Sequence, residues 1–289
     1  MTIIEYPFHV KQWPKTIIHP EEYDGGEALS LSWDLGSVDE AEKKKVIRAW
    51  TAKLPTLQHL RKLKLWTHVT QPVFDAACTL AGLEVLQVKW SNIQNLDAIA
   101  RLQHLRALSI GSSTRVKSIE PLTSLSSMQL LEIENFKSIS DFSPLTKLNT
   151  LEHLTVAGSM WSRQAIASLE PFAAMTWLTS LGVDTSSVTS LRPLAALTGL
   201  KELSVGGKLP FEEYAWLAAK LPNTWCRWFA PYYELAGSGY SNCKSCKQDS
   251  MVMLTGKGKP ILCKHCDAVK VNRHVASFDA VRSAAQNEA

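Results

Sequence analysis

The chain has 289 residues, with 31 Lys+Arg against 27 Asp+Glu, 45% hydrophobic residues, six Cys and ten Trp. That length suffices for a large core in one or two domains, and the apolar content with 20% charged residues excludes a wholly disordered chain. No run of 18 or more apolar residues occurs, so no membrane-spanning helix is expected. The start, Met1-Thr2-Ile3-Ile4-Glu5, lacks a basic stretch followed by an apolar one, so no secretory leader is expected. A cytoplasmic location is the resulting expectation, and with it reduced thiols whose pairing points to metal before disulfide.

In chain order, Ala28-Leu29-Ser30-Leu31-Ser32-Trp33 alternates as a first strand. Ser37 and Glu40 have the spacing of a capping box, predicting a helix to about Lys53 with Val46, Ile47, Trp50 and Leu54 on one face. Residues 1–53 are thus expected to form an N-terminal cap of strand and helix.

Between Leu54 and Leu209 one pattern recurs seven times. Leu57-x-x-Leu60-x-x-Leu63-x-Leu65 returns around Leu86, Leu108, Leu131, Leu154, Leu181 and Leu203, at intervals of 23, 22, 23, 23, 27 and 22 residues. Leu every three residues also suits a helix. However, each copy ends in strict alternation, as in Leu108-Ser109-Ile110, and then in Ser, Gly or Asn, which stop helices. The pattern resembles the leucine-rich repeat family, with a period of 20 to 29 residues. Ile119-Glu120-Pro121-Leu122, Ile139-Ser140-Asp141-Phe142-Ser143-Pro144-Leu145 and Val188-x-x-Leu191-Arg192-Pro193-Leu194 are similar to the bacterial internalin-type repeat. That resemblance implies an α/β solenoid over residues 54–209, with a curved parallel sheet and a short convex helical turn starting near each proline.

Strand parity then sorts the face. With Leu63 and Leu65 inward, Lys62, Lys64 and Trp66 point to the concave surface. The same parity exposes Val85, Gln87 and Lys89, then Ala107 and Ser109, Leu130, Glu132 and Glu134, His153 and Thr155, and Asp184. The face is expected to be basic and aromatic at one end and acidic from the middle onward. The 27-residue interval inserts about four residues near Ser159-Met160-Trp161-Ser162-Arg163, and insertions in solenoids map to loops, often on the binding face. Trp161 and Arg163 are therefore candidate partner contacts beside Lys62, Lys64, Trp66, Gln87, Lys89, Glu132, Glu134, His153 and Asp184; Trp161 packing over the stack is the competing assignment.

Residues 210–238 read as a second cap: a helix from Pro210 to Lys220, with Tyr214, Leu217 and Leu221 inward, and a closing strand over Thr224–Phe229. In residues 239–289, Cys243-x-x-Cys246 and Cys263-x-x-Cys266 have the spacing of a four-thiolate zinc site. Met251–Leu254 and Ile261-Leu262 flank a Gly-Pro turn, and the segment resembles a zinc ribbon. Four protein ligands leave no open position, so the expected zinc is structural. His265 reads as exposed and His274 as a fallback ligand. Cys78 and Cys226 read as inert core thiols.

No phosphate-binding glycine loop, G-x-S-x-G elbow or H-E-x-x-H occurs, so no enzyme is expected and no catalytic residue is assigned. The expected function is a protein-binding module using the concave surface, in one version a cytosolic bacterial immunity or inhibitor protein, with an unidentified protein partner. The alternative is a nucleic-acid or ribosome-associated factor acting through Lys244, Lys247, Lys257, Lys259, Lys264, Lys270 and Arg273. The net charge bears on this choice. Residues 1–242 carry 23 basic and 23 acidic groups, and residues 243–289 carry 8 and 4. Zinc bound by four thiolates is formally −2, which offsets half of that excess.

Overall fold

A computed structural model describes residues 6–33 and 39–288. Its contacts divide the chain into two compact units, residues 1–166 and 167–289.

In the first unit, β1 (Ala28–Ser32), β2 (Lys62–Val69), β3 (Val85–Ser91), β4 (Ala107–Gly111), β5 (Leu130–Glu134) and β6 (His153–Ala157) pair in parallel, each with its predecessor. The register stacks identical repeat positions. One row is Leu29, Leu63, Leu86, Leu108, Leu131 and Leu154; a second is Leu31, Leu65, Val88, Ile110, Ile133 and Val156. All of these side chains are buried. Each contributes about 1.5–3 kcal/mol of transfer free energy against the entropy of ordering the chain. This is a leucine-rich-repeat fold, as the spacing predicted.

The three-residue leucine spacing that mimics a helix is explained by consecutive tight turns. Leu102 N donates to Ile99 O at 2.9 Å and Leu105 N to Leu102 O at 3.0 Å, and the set repeats at Leu125, Met128, Leu148 and Leu151. The return segments are 3-10 turns at Asp97–Arg101, Glu120–Ser124 and Ser143–Lys147, the last two with proline in the first turn. One return is instead a true α-helix, α2 (Gln71–Ala77), with Val73, Phe74, Ala76 and Ala77 buried.

The N-terminal cap helix α1 (Glu40–Lys53) forms as expected and buries Val46 and Trp50. Its N-cap is Asp39, whose carboxylate accepts from Glu42 N at 2.8 Å. Ser37, the expected capping residue, lies outside the described residues.

In the second unit, β7 (Ser180–Val183) and β8 (Glu202–Val205) pair in parallel, with a short helix α3 (Glu170–Ala173) and a 3-10 turn at Arg192–Ala196 as return segments. The cap helix is α4 (Phe211–Lys220), with Tyr214, Ala215 and Leu217 buried. The expected closing strand over Thr224–Phe229 shrinks to one bridge, Glu202 with Trp225, and then a 3-10 turn at Arg227–Phe229. Trp228 accounts for the turn. Its indole donates to Val205 O at 2.8 Å, and a Cβ on Gly207 would lie 2.5 Å from its ring.

A three-stranded antiparallel sheet comes next in the chain: β9 (Tyr232–Glu234), β10 (Met251–Leu254) and β11 (Ile261–Cys263), with β10 central. The C-terminal residues form a long helix, α5 (Ala268–Gln286), which packs against α4. Phe278 stacks on Phe211, and the Trp216 indole donates to the Glu288 carboxylate at 2.7 Å.

Candidate functional site: the outward strand face and a four-thiol cluster

The outward residues of β2–β6 form three rows in register. The first holds Lys62, Val85, Ala107, Leu130 and His153; the second holds Lys64, Gln87, Ser109, Glu132 and Thr155. The third holds Trp66, Lys89, Gly111, Glu134 and Ala157. The parity expected from the sequence is therefore correct for each of these strands. The expected exposure is not. Val85, Ala107 and Leu130 are buried, because they form one apolar cluster with Phe8, against which Trp13 packs. The Tyr6 hydroxyl donates to Glu132 Oε1 at 2.5 Å. Burial and the adjacent Glu132 carboxylate both hold that phenol in its neutral form.

The remaining candidates in the first unit fall into two groups. Lys64 sits over the Trp66 ring at 4.7 Å and the Trp13 ring at 5.9 Å, and burial lowers its pKa. Trp66 is half-buried, tilted against Trp90 at 5.9 Å between ring centroids, rather than standing free beside lysines. Lys89 and Glu134 form an ion pair with each other, so the face is less polarised than its composition implies. Lys62 and His153 are partly exposed at the ends of their row.

The insertion forms a loop after β6, held by Ser159 and by the Ser162 hydroxyl, which donates to Asn135 Oδ1 at 2.6 Å. Gly158 is obligatory there, since a Cβ would lie 2.2 Å from Ser162 O. Met160 is 88% exposed, Trp161 90% and Arg163 is also exposed, so Trp161 does not pack over the stack. With Lys89, Trp90 (47% exposed), Glu134 and Asn135, Met160 and Trp161 line a cleft of about 570 Å³. Trp90 and Met160 were not among the residues singled out from the sequence. Trp90 lies near the end of β3, at a position whose parity is inward, but takes a left-handed backbone (φ 53°) that turns it out of that parity. Gln164 is a further unforeseen residue. Buried, it accepts from Phe136 N at 2.8 Å and donates to Ile139 O at 2.7 Å, closing the irregular repeat by side chain.

In the second unit, Asp184 comes directly after β7 and accepts from Ser186 N at 2.9 Å.

The four cysteines of the same unit converge. Their sulfurs all lie within 4.8 Å of one another, with Cys243–Cys266 at 3.8 Å and Cys246–Cys263 at 3.6 Å. Tetrahedral zinc with Zn–S bonds of about 2.3 Å requires sulfurs roughly 3.8 Å apart, so the donor set fits such an ion. Cys243-x-x-Cys246 turns through Lys247, whose left-handed backbone (φ 61°) lets its N–H donate to Cys243 O at 2.9 Å. The Cys266 backbone N–H, the Ser250 hydroxyl and the His265 N–H lower the Cys263 thiol to about 6. Neighbouring sulfurs push Cys266 up to about 12. His265 is exposed. His274 is outside the cluster; it is buried on α5 against Phe211 at 5.1 Å. Cys78 and Cys226 are buried, and desolvation raises both thiols, Cys226 to about 11.

No family model matches the chain, and no curated protein matches it in sequence. Among solved structures it is similar to internalin C2 of Listeria monocytogenes, at 24% identity and a TM-score of 0.42, over 53% of this chain and 66% of that one. A Listeria monocytogenes internalin F gives 17% and 0.40 over 68% of this chain and 70% of that one. A leucine-rich-repeat protein of Leptospira interrogans gives 14% and 0.48 over 73% and 57%. The chain thus spans just under two thirds of the internalin C2 structure's length. Its repeat architecture is the shared feature, and the leucine rows establish that architecture independently.

Proposed function

We propose that the chain is a non-enzymatic protein-binding module that engages a protein partner through the outward strand face and the loop after β6. The observation that carries this reading is the exposure of Trp161, Met160 and Trp90 around one cleft beside the Lys89–Glu134 pair. Large side chains clustered in water at a cleft rimmed by charge match the aromatic anchors and polar rims of interfaces. The finer version is a cytosolic bacterial immunity or inhibitor protein blocking a toxin or enzyme, which rests on analogy of fold. Capture of partners from the native cell, compared between wild type and Trp161→Ala with Trp90→Ala, tests the reading. A partner retained equally by both proteins removes the cleft from the interface.

The proposed cofactor is one structural zinc ion held by Cys243, Cys246, Cys263 and Cys266. Bound there, it would supply a crosslink between the two knuckles that a module this small needs. The nucleic-acid alternative depends on free basic groups around this site. Lys264 pairs with Glu234, Lys270 with Asp267, and Lys259 lies over the Phe211 ring at 4.9 Å, so three of the seven are engaged. Steeply salt-dependent RNA or DNA binding would restore that alternative.

A further inference from the structure

Val85, Ala107 and Leu130 are an anomaly on the outward face, whose neighbouring row of Lys64, Gln87, Ser109, Glu132 and Thr155 is polar. They are neighbours in register on three successive strands, and left open they would form an apolar strip in water. The chain covers them with a segment that belongs to no repeat. Phe8 fills the strip, Tyr6 packs edge-on against Phe8 at 5.6 Å, and the Tyr6 hydroxyl reaches Glu132 in the adjoining row. Trp13 completes the cover under the Lys64 ammonium.

The way this segment is held distinguishes it from the core. Its backbone hydrogen bonds among the described residues close on itself: His9 N to Tyr6 O, Gln12 N to His9 O and Trp13 N to Val10 O. Side chains alone attach it to the strands. The fit also leaves polar atoms unpaired. Trp13 Nε1 and the Gln87 Oε1 of the second outward row are both buried without a hydrogen-bond partner. Buried polar groups in stable cores are nearly all paired, and each exception carries a desolvation cost that a better-matched occupant would remove.

We propose that the strip Val85–Ala107–Leu130, with Glu132 and Gln87, is a receptor site for a turn-forming protein segment bearing two aromatic side chains two residues apart, and that residues 6–13 are its displaceable occupant in cis. The strip takes one ring, Glu132 takes a phenolic or other hydroxyl donor, and Gln87 offers an acceptor that the resident segment leaves unused. A tethered occupant competes at an effective concentration on the order of millimolar. The site is therefore masked against weak ligands and opens to those that also satisfy Gln87. This inference deepens the proposed function at the same strand face and rests on that face being a protein-binding surface.

The test uses the full chain and a fluorescein-labelled peptide of residues 6–16, read by anisotropy. Wild type should bind it poorly, because the cis segment holds the site. Phe8→Ala should bind it at least about tenfold tighter, since apparent affinity scales with the fraction of open sites. Adding Leu130→Glu to Phe8→Ala, or using a peptide with Ser in place of its Phe, should abolish that gain. Tyr6→Phe, which loses only the contact to Glu132, supplies a milder opening if Phe8→Ala does not fold. Folded Phe8→Ala or Tyr6→Phe protein that binds the peptide no better than wild type overturns the inference and makes the segment a fixed part of the fold. Such a failure with partner capture through Trp161 intact leaves the general binding function standing. Peptide binding without Trp161-dependent capture does the reverse.

Discussion

Lys89 reaches Glu134 by passing over Gly111. The three residues occupy one outward row on adjacent strands, and a Cβ at Gly111 would lie 3.0 Å from Lys89 Cδ and 3.3 Å from its Nζ. The pair therefore skips a strand because the residue between them carries no side chain. Gly111→Val should block the crossing. The coupling between Lys89→Ala and Glu134→Ala, measured by urea unfolding in a double-mutant cycle, should be about 0.5–1 kcal/mol in wild type and near zero in the Gly111→Val background. Equal coupling in both backgrounds would mean the pair does not depend on the gap.

Trp161 separates binding from stability. With 90% of its surface in water it contributes little to the fold, so Trp161→Ala should change unfolding free energy by less than about 0.5 kcal/mol. As an interface anchor its loss should weaken partner capture by about 30-fold or more, equivalent to roughly 2 kcal/mol. A large stability loss would instead identify a packing role.

The thiol cluster makes a stoichiometric prediction. Purified protein should carry about one zinc per chain, and chelation should raise amide exchange in β9–β11 and α5, where Val252, Leu254 and Val271 share a small core. The leucine rows of β1–β6 belong to the other unit and should keep their protection. Cys263→Ser should reproduce the chelated state. Less than about half an equivalent of zinc would refute the metal assignment.

His274 gives the second unit a pH dependence. Burial lowers its pKa, and Lys259 adds to the shift, while carbonyls of Pro231 and Thr255 and the Glu212 carboxylate oppose it. Because the unfolded chain binds the proton more readily, this group's contribution is full above its ordinary pKa of 6.5 and is lost as pH falls below that value. His274→Phe should flatten the stability profile between about pH 7 and pH 5 relative to wild type. An unchanged slope would show that the imidazole binds its proton equally well in the folded and unfolded chain.

What the sequence revealed came from local rules. Leu86, Leu108 and Leu131 announce their row by spacing, and period-two alternation assigns Lys64, Gln87 and Glu132 to the outward face. The cysteine pairs needed only their spacing to be placed together. What it concealed depended on tertiary packing. Phe8 and Trp13 stand outside every repeat, and nothing local says which apolar strip they will cover. The aromatic density of Tyr6, Phe8 and Trp13 was the available signal. Helix α5 was also signalled, by Val271, His274, Phe278 and Ala285 at helical spacing, but a polar histidine interrupts the apolar face. Gln164 could not have been foreseen, because its buried amide replaces backbone bonds that a regular repeat would have made.

The contact between Tyr6 and Glu132 joins residues 126 apart in the chain, whereas each strand of the first unit pairs only with its predecessor. Sheet assembly can therefore proceed by short loop closures, one neighbour at a time, with little entropic delay. Residues 6–13 are synthesised before every strand of the sheet yet have no seat until β3, β4 and β5 stand side by side. Its docking is a late folding event, and quenching at Trp13 should report when that part of the array is complete.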